Sequence, residues 1–211
     1  VIELIQGSEA WKLARCGSLG ASQVAEALAK TKTGWGSSRA NVMATLIVER
    51  LTGVPAESFM NDAMRWGVAN EPEAKLAYSF RTDNDIVDIG LVRHPIIEGT
   101  HASPDGLIGD DGLIEAKCPQ SATHLDYLLA NSVPQKYRFQ CQWQMACTGR
   151  QWTDWVSFDP RMPAHMQLLV VRIHRDNELI SALEKDVIDF LGELERKLDD
   201  LRRLYPLREA A

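Results

Sequence analysis

The chain has no uninterrupted apolar run near the roughly 20 residues that a membrane span needs, and no basic stretch followed by an apolar one opens it. A soluble, intracellular protein is expected. No Pro-, Gly- or Ser-rich linker interrupts the 211 residues, which suffice for one sizeable core, so a single domain over residues 1–211 is expected. Cysteine is sparse: Cys16, Cys118, Cys141 and Cys147 contain no CxxC pair, which argues against a zinc ribbon. Their spacing matches no iron–sulfur pattern, and reduced thiols are the simplest reading. A basic excess, common where DNA is held by charge alone, is also missing, since the net charge is −6. The acid is unevenly placed: residues 1–60 sum to +1, 61–120 to −6, 121–175 to +3 and 176–211 to −4. Local patches and bound cations then decide contact with phosphate, and DNA is not excluded.

What is present is a mixed pattern. "SQVAEALAK" reads as a short helix N-capped by Ser22, and "SRANVMATLIVERLTG" as a longer helix stopped at Gly53, with the flexible basic loop "KTKTGWGSS" between them. "DAMRWGVANEPEAKLAYSFRT" is helical at both ends, but Pro72 lacks a donor, so a kink or new start near Asn70 and Glu71 is expected. "DIVDIGLVRHP", "HASPDGLI", "GLIEAK", "QWTDWVSFD" and "QLLVVRIH" have the β-branched and aromatic content of strands, with helices at 122–131 and 135–148 between the third and fourth. A long helix over about 177–205 carries one apolar stripe through Leu183, Val187, Leu191, Leu194, Leu198, Leu201 and Tyr205, suited to packing on the body or on a second subunit. The order predicts an α/β (α+β) fold around a small central sheet.

The chemistry concentrates in "SPDGLIGDDGLIEAKCP", where Asp105, Glu115 and Lys117 stand among Leu107, Ile108, Leu113 and Ile114. On a strand Glu115 and Lys117 share a face, about 7 Å apart, while Ala116 points to the opposite layer. A four-residue loop over 109–112 would set Asp105 opposite Ala116, on the wrong face; a three-residue loop with a bulge would set it opposite Glu115. An irregular hairpin or a bend at Pro104 is therefore expected. Two carboxylates and the Ala116 carbonyl then form an oxygen-rich site suited to Mg²⁺ with several waters. Lys117 would orient or deprotonate an attacking water if burial lowers its pKa. An ordinary ion pair on a half-exposed strand stays open, because a bare D…ExK pattern is common. If the acids serve a metal, Asp105→Ala or Glu115→Ala should abolish activity with folding nearly unchanged.

The segments "QGSEAWKLARCGSLGAS", "WGVANEPEA", "SPDGL" with "IEAKCP", "FQCQWQMACTG" and "FDPRM" follow one another over about residues 6 to 162. Together they resemble the lambda-exonuclease (YqaJ-type) family of phage recombination nucleases, within the PD-(D/E)xK nuclease fold. The resemblance implies a restriction-endonuclease-like core with a small mixed sheet flanked by helices. It implies a Mg²⁺-dependent exonuclease that digests one strand of a duplex from its 5′ end, releasing mononucleotides and leaving a 3′ overhang for recombination by strand annealing. Two ions per site are implied, with Mn²⁺ as a substitute. Asp105, Glu115, the Ala116 carbonyl and Glu71 match the metal site, Lys117 the water-activating lysine, and Gln140 a supporting glutamine; Gln142 nearby reads as a solvated amide. Arg15, Ser22 and Ser103 match a pocket for the terminal 5′-phosphate, Lys32 a contact to the duplex, and Met64 an apolar wedge. One departure is Thr123, where some relatives carry a basic residue. The family also implies a homotrimeric ring, a single-strand annealing partner, and a phage or prophage protein in the cytoplasm of a bacterial host. A structure-specific or restriction-like endonuclease, or a non-catalytic module that binds DNA ends, are the alternatives.

Overall fold

The structure, a computed structural model, describes residues 4–32, 34–57 and 60–206. Its helices in chain order are α1 Glu9–Arg15, α2 Val24–Ala27, α3 Ser37–Thr52, α4 Asp62–Thr82, α5 Ser121–Ala130, α6 Gln135–Thr148 and α7 Asn177–Leu204. The strands are β1 Leu19–Gly20, β2 Lys30–Thr31, β3 Gly34–Trp35, β4 Ile86–Val87, β5 Val92–Arg93, β6 Thr100–Ala102, β7 Gly106–Ile108, β8 Gly112–Lys117, β9 Trp152–Phe158 and β10 Leu168–His174. A five-stranded mixed sheet runs in the order β10-β9-β8-β7-β4, with β8 and β9 parallel. A second sheet runs β1-β6-β5, and β2 pairs with β3. No helix among the described residues is long and apolar enough to cross a membrane.

The central sheet is packed on both faces, which explains its continuous apolar runs. Ile114, Ala116, Val156 and Phe158 meet Ala74 and Tyr78 of α4. Leu113 and Trp155 meet Cys141 and Met145 of α6. Helix α7 buries Leu183, Val187, Leu191, Leu194 and Leu198 against α2, α3 and Trp143. The expected stripe fails only at its end, because Tyr205 lies past the helix as its C-cap and is 77% exposed.

Four sequence expectations are corrected. "DIVDIGLVRHP" and "HASPDGLI" each divide between the two sheets, as β4 and β5 and as β6 and β7. Pro104 explains the second break: it cannot donate to a ladder, and a bend at Asp105 turns the chain from one sheet into the other. The basic loop contains the β2–β3 pair, with Lys32 exposed at its turn. Ser22 is not an N-cap: Gly20 caps a 3₁₀ turn, Ala21–Gln23, in which Ser22 is the second residue. Helix α4 runs through Pro72 without a break, so Glu71 is a mid-helix residue. The missing donor would have served the carbonyl of Val68, a residue on the exposed side of the helix, while the buried Ala74 and Tyr78 hold the following turn.

Candidate active site

The β7–β8 hairpin fixes the chemistry by its register. Gly106 faces Ile114 and Ile108 faces Gly112, leaving a three-residue loop. Extended by one step, this sets Asp105 beside Glu115, the register expected from the sequence. The Ala116 N–H donates to Asp105 Oδ2 at 2.7 Å. On a strand the carbonyl of a residue leaves on the same side as its N–H, so the Ala116 oxygen is directed toward the same acid.

Glu115 is 1% exposed and organises the cleft. It accepts from Gln140 Nε2 at 2.7 Å, from Gln144 Nε2 and from Lys117 Nζ. Gln140 and Gln144 lie one turn apart on α6, above the face of β8 that carries Leu113, Glu115 and Lys117. Burial pushes the Asp105 carboxyl well above the usual range, and the neighbouring Glu115 charge adds to this. Burial opposes the charge of Lys117, yet Glu115 and Asp105 outweigh it and raise its pKa. Without a cation, the condition of a lowered lysine pKa is therefore not met. Glu115 accepts from three donors that its truncation would strand, which argues against the expectation of unaffected folding for that variant.

A cleft of about 170 Å³ is lined by Asp105, Glu115, Lys117, Gln140 and Gln144, together with Gln6, Trp11, Arg15, Ala21, Ser22, His101 and Ser103. The structure thus brings together the acid–lysine set and the three residues of the implied phosphate pocket. Ser103 Oγ and Trp11 Nε1 are buried without a partner, two unused donors at this cleft. The Arg15 guanidinium stacks 3.9 Å over the Trp11 ring. Burial lowers the Arg15 pKa, with Glu49 opposing.

Four residues matched to the family fall outside the cleft lining, Ala116 among them, although its backbone N–H bonds Asp105. Glu71 is on α4, which covers the opposite face of the sheet; it lines an adjoining groove of about 690 Å³ with Lys75 and Asp88, and Gln6 borders both. Lys75 holds Glu71 at 3.1 Å. Met64 is 48% exposed near the start of α4, not in the core. Lys32 is on the β2–β3 turn. Gln142 is buried, not solvated: it donates to the His174 carbonyl at 2.8 Å and accepts from the Asp176 N–H at 3.0 Å. Sequence reasoning missed Gln144, Trp11, His101 and Lys75. The spacing of Gln140 and Gln144 was the available signal for the first, because residues four apart share a helix face and Gln142 does not.

Among the described residues no three His, Cys, Asp or Glu side chains form a ready-made ion cage. Two crowded carboxylates and a carbonyl nevertheless fit a hard divalent cation. Mg²⁺ is commonly bound through one or two carboxylates and retains waters, and a positive ion would relieve the repulsion that raises Asp105.

The "FDPRM" segment supports this site from behind. Asp159 accepts from Arg161 Nε at 2.8 Å, Nη2 at 3.0 Å and N at 3.0 Å. Arg161 in turn reaches the Pro119 carbonyl at 3.3 Å, just after Lys117, and stacks 4.0 Å over Trp66 of α4.

A mixed sheet with an acid at the end of one strand and Glu-x-Lys on the next, enclosed by helices, defines a restriction-endonuclease-like core. Residues 10–151 match the YqaJ-like viral recombinase domain, and the chain belongs to that family. Its structure is similar to that of an alkaline exonuclease, LHK-Exo, from Laribacter hongkongensis, with 45% identity, 93% of this chain and 97% of that chain covered, and a TM-score of 0.86. The same protein in complex with dAMP gives a TM-score of 0.87 at 45% identity and the same coverage. A phage related exonuclease from Haemophilus somnus 129PT shares the fold, with a TM-score of 0.72 at 15% identity over 87% of this chain and 96% of that chain. No curated protein matches the chain.

Proposed function

We propose that the protein is a divalent-cation-dependent exonuclease that removes 5′-mononucleotides from one strand of duplex DNA, starting at a 5′ end. The observation that carries this reading is a single cleft holding an anion-binding set, Arg15, Ser22 and Ser103, beside Asp105, Glu115, Lys117 and Gln140. A terminal phosphate gripped by the first set would hold the next phosphodiester over the second, which favours removal of one nucleotide at a time over internal cutting. The dAMP complex of the similar exonuclease supports a mononucleotide product.

Asp105, Glu115 and the Ala116 carbonyl would hold the cation, with Glu71 joining them by exchanging its Lys75 partner for the ion. When bound, Mg²⁺ supplies Lewis-acid polarisation of the phosphate and a more acidic water. Lys117 is placed to orient the attacking water and to stabilise the negative charge that develops at the scissile phosphate. Gln140 and Gln144 keep Glu115 fixed through the reaction. Arg15 offers a guanidinium fork to the terminal phosphate, with the hydroxyls of Ser22 and Ser103 and the free Trp11 N–H as further donors. Lys32, exposed on its hairpin, contacts the duplex ahead of the cleft, and Met64 on α4 separates the end base pair. A ring of three subunits would keep the enzyme on DNA, and an annealing protein would take up the exposed 3′ strand. In support of self-association, Val68, Leu76 and Phe80 leave an apolar side of α4 exposed at 64%, 72% and 95%.

The test uses linear duplexes labelled at either end, with 5′-phosphate or 5′-hydroxyl termini, in the presence of Mg²⁺ or chelator. Release of mononucleotides from the 5′ end, faster from phosphorylated ends and only with the cation, is expected. Loss of 3′-terminal label alone would reverse the polarity. Cutting of closed circular DNA would make the protein an endonuclease.

A further inference from the structure

His101 is 2% exposed, on β6, directly opposite Gly20 of β1. Both ring nitrogens are engaged: Arg15 Nε donates to Nε2 at 3.0 Å, and Ser18 Oγ lies 2.9 Å from Nδ1. A guanidinium can only donate, so Nε2 is the acceptor, the ring proton is on Nδ1, and Ser18 Oγ receives it. Protonation would remove the acceptor. Burial, together with the positive charges of Arg15 and Arg93, lowers the His101 pKa to about 3, so the ring is neutral throughout the working range. The site is also tailored to this pair by close approach. A Cβ on Gly20 would meet His101 Nε2 at 3.2 Å and Arg15 Nη2 at 3.4 Å. With Nε tied to His101 and the plane stacked on Trp11, the arginine has its two terminal amino groups left for a ligand in the cleft.

We infer that His101 is a positioning residue for end recognition: it sets the orientation of the Arg15 fork and thereby the preference for 5′-phosphorylated over 5′-hydroxyl duplex ends. The inference rests on the assignment of Arg15 to the terminal phosphate. Ser18 belongs to the same device, because it fixes the tautomer that Arg15 needs.

The test measures kcat and KM on both kinds of duplex end for the wild type, Arg15→Ala, His101→Leu, His101→Gln, Ser18→Ala and the double variant Arg15→Ala/His101→Leu, with thermal unfolding of each. Arg15→Ala should abolish the preference. His101→Leu should reduce it about tenfold, roughly the effect of one charge-assisted hydrogen bond, chiefly through KM for phosphorylated ends. His101→Gln, whose amide oxygen can accept from Arg15 Nε, should restore most of it, and Ser18→Ala should lower it by a smaller factor. In the Arg15→Ala background the second change should leave the preference where it is. If Arg15→Ala retains the preference, the phosphate assignment fails and this inference with it. If Arg15→Ala abolishes it but His101→Leu slows both substrates equally, or glutamine gives no rescue, His101 is only structural. Should His101→Leu not fold, His101→Gln and Ser18→Ala carry the test: a preference mostly retained in His101→Gln and partly reduced in Ser18→Ala is expected, while an unchanged preference in Ser18→Ala, or an equal slowing of both substrates in His101→Gln, would overturn the inference.

Discussion

Truncating Glu115 in the cation-free protein should damage the fold far more than neutralising Asp105, although both are expected to be essential for cleavage. The Glu115 side chain is 2% exposed and that of Lys117 26%, so their ion pair is largely shielded from water. Glu115→Ala leaves that ammonium and the amides of Gln140 and Gln144 without their common acceptor. Breaking a buried pair from one side costs about 3–5 kcal/mol. An orphaned amide adds up to about 1–3 kcal/mol unless water reaches it, and the 170 Å³ cleft has room for water, so the total should stay near 3–5 kcal/mol. Asp105→Asn keeps an oxygen for the Ala116 N–H and removes a charge that burial and Glu115 already disfavour. Its stability should change by less than about 1 kcal/mol. Equilibrium urea unfolding in chelator, followed by tryptophan fluorescence, measures both, with matching slopes as a check that the unfolded states are comparable. Equal losses for the two variants, or a loss under about 1 kcal/mol for Glu115→Ala, would refute the view of Glu115 as the acceptor that holds the cleft together.

Three further outcomes are expected. Mg²⁺ at about 100 times its dissociation constant should stabilise the wild type by about 2.7 kcal/mol and Asp105→Asn much less; calorimetric unfolding with and without the ion would show it, and equal gains would place the cation elsewhere. Arg161 outweighs the burial that opposes ionisation of Asp159 and holds its pKa at about 2, so the pair contributes stability above about pH 4 that is lost as pH falls toward 2. Asp159→Asn should therefore cost about 1 kcal/mol at neutral pH, a modest value because solvent screens Arg161, and unfolding midpoints for variant and wild type should converge in acid. Pro72→Ala restores a donor within an unbroken helix and should raise the urea midpoint by the equivalent of about 1–3 kcal/mol; a lower midpoint would mean that the proline ring itself packs usefully.

How much of this was legible depended on whether neighbours in sequence or neighbours in space set each feature. The hairpin register followed from counting, because side chains alternate on a strand and only a three-residue loop puts Asp105 on the face of Glu115. The long helix was legible for the same local reason, its stripe repeating with the helical period. Pro72 misled because propensity describes an isolated helix, whereas Tyr78 and Ala74 anchor α4 to the sheet and outweigh one missing bond. The divided strands were half legible: Pro104 in "HASPDGLI" announces a break in the ladder, but not that Ala102 and Gly106 pair in different sheets. The raised lysine pKa was missed for a related reason. Partial burial was foreseeable from the strand, but the balance is decided by two acids reaching Lys117 at once, one along β8 and one across the hairpin. The same geometry supports the proposed cation. A strand pair that places two acids on one buried face carries excess negative charge that one lysine must neutralise, so the arrangement makes physical sense as a site prepared for a second positive charge.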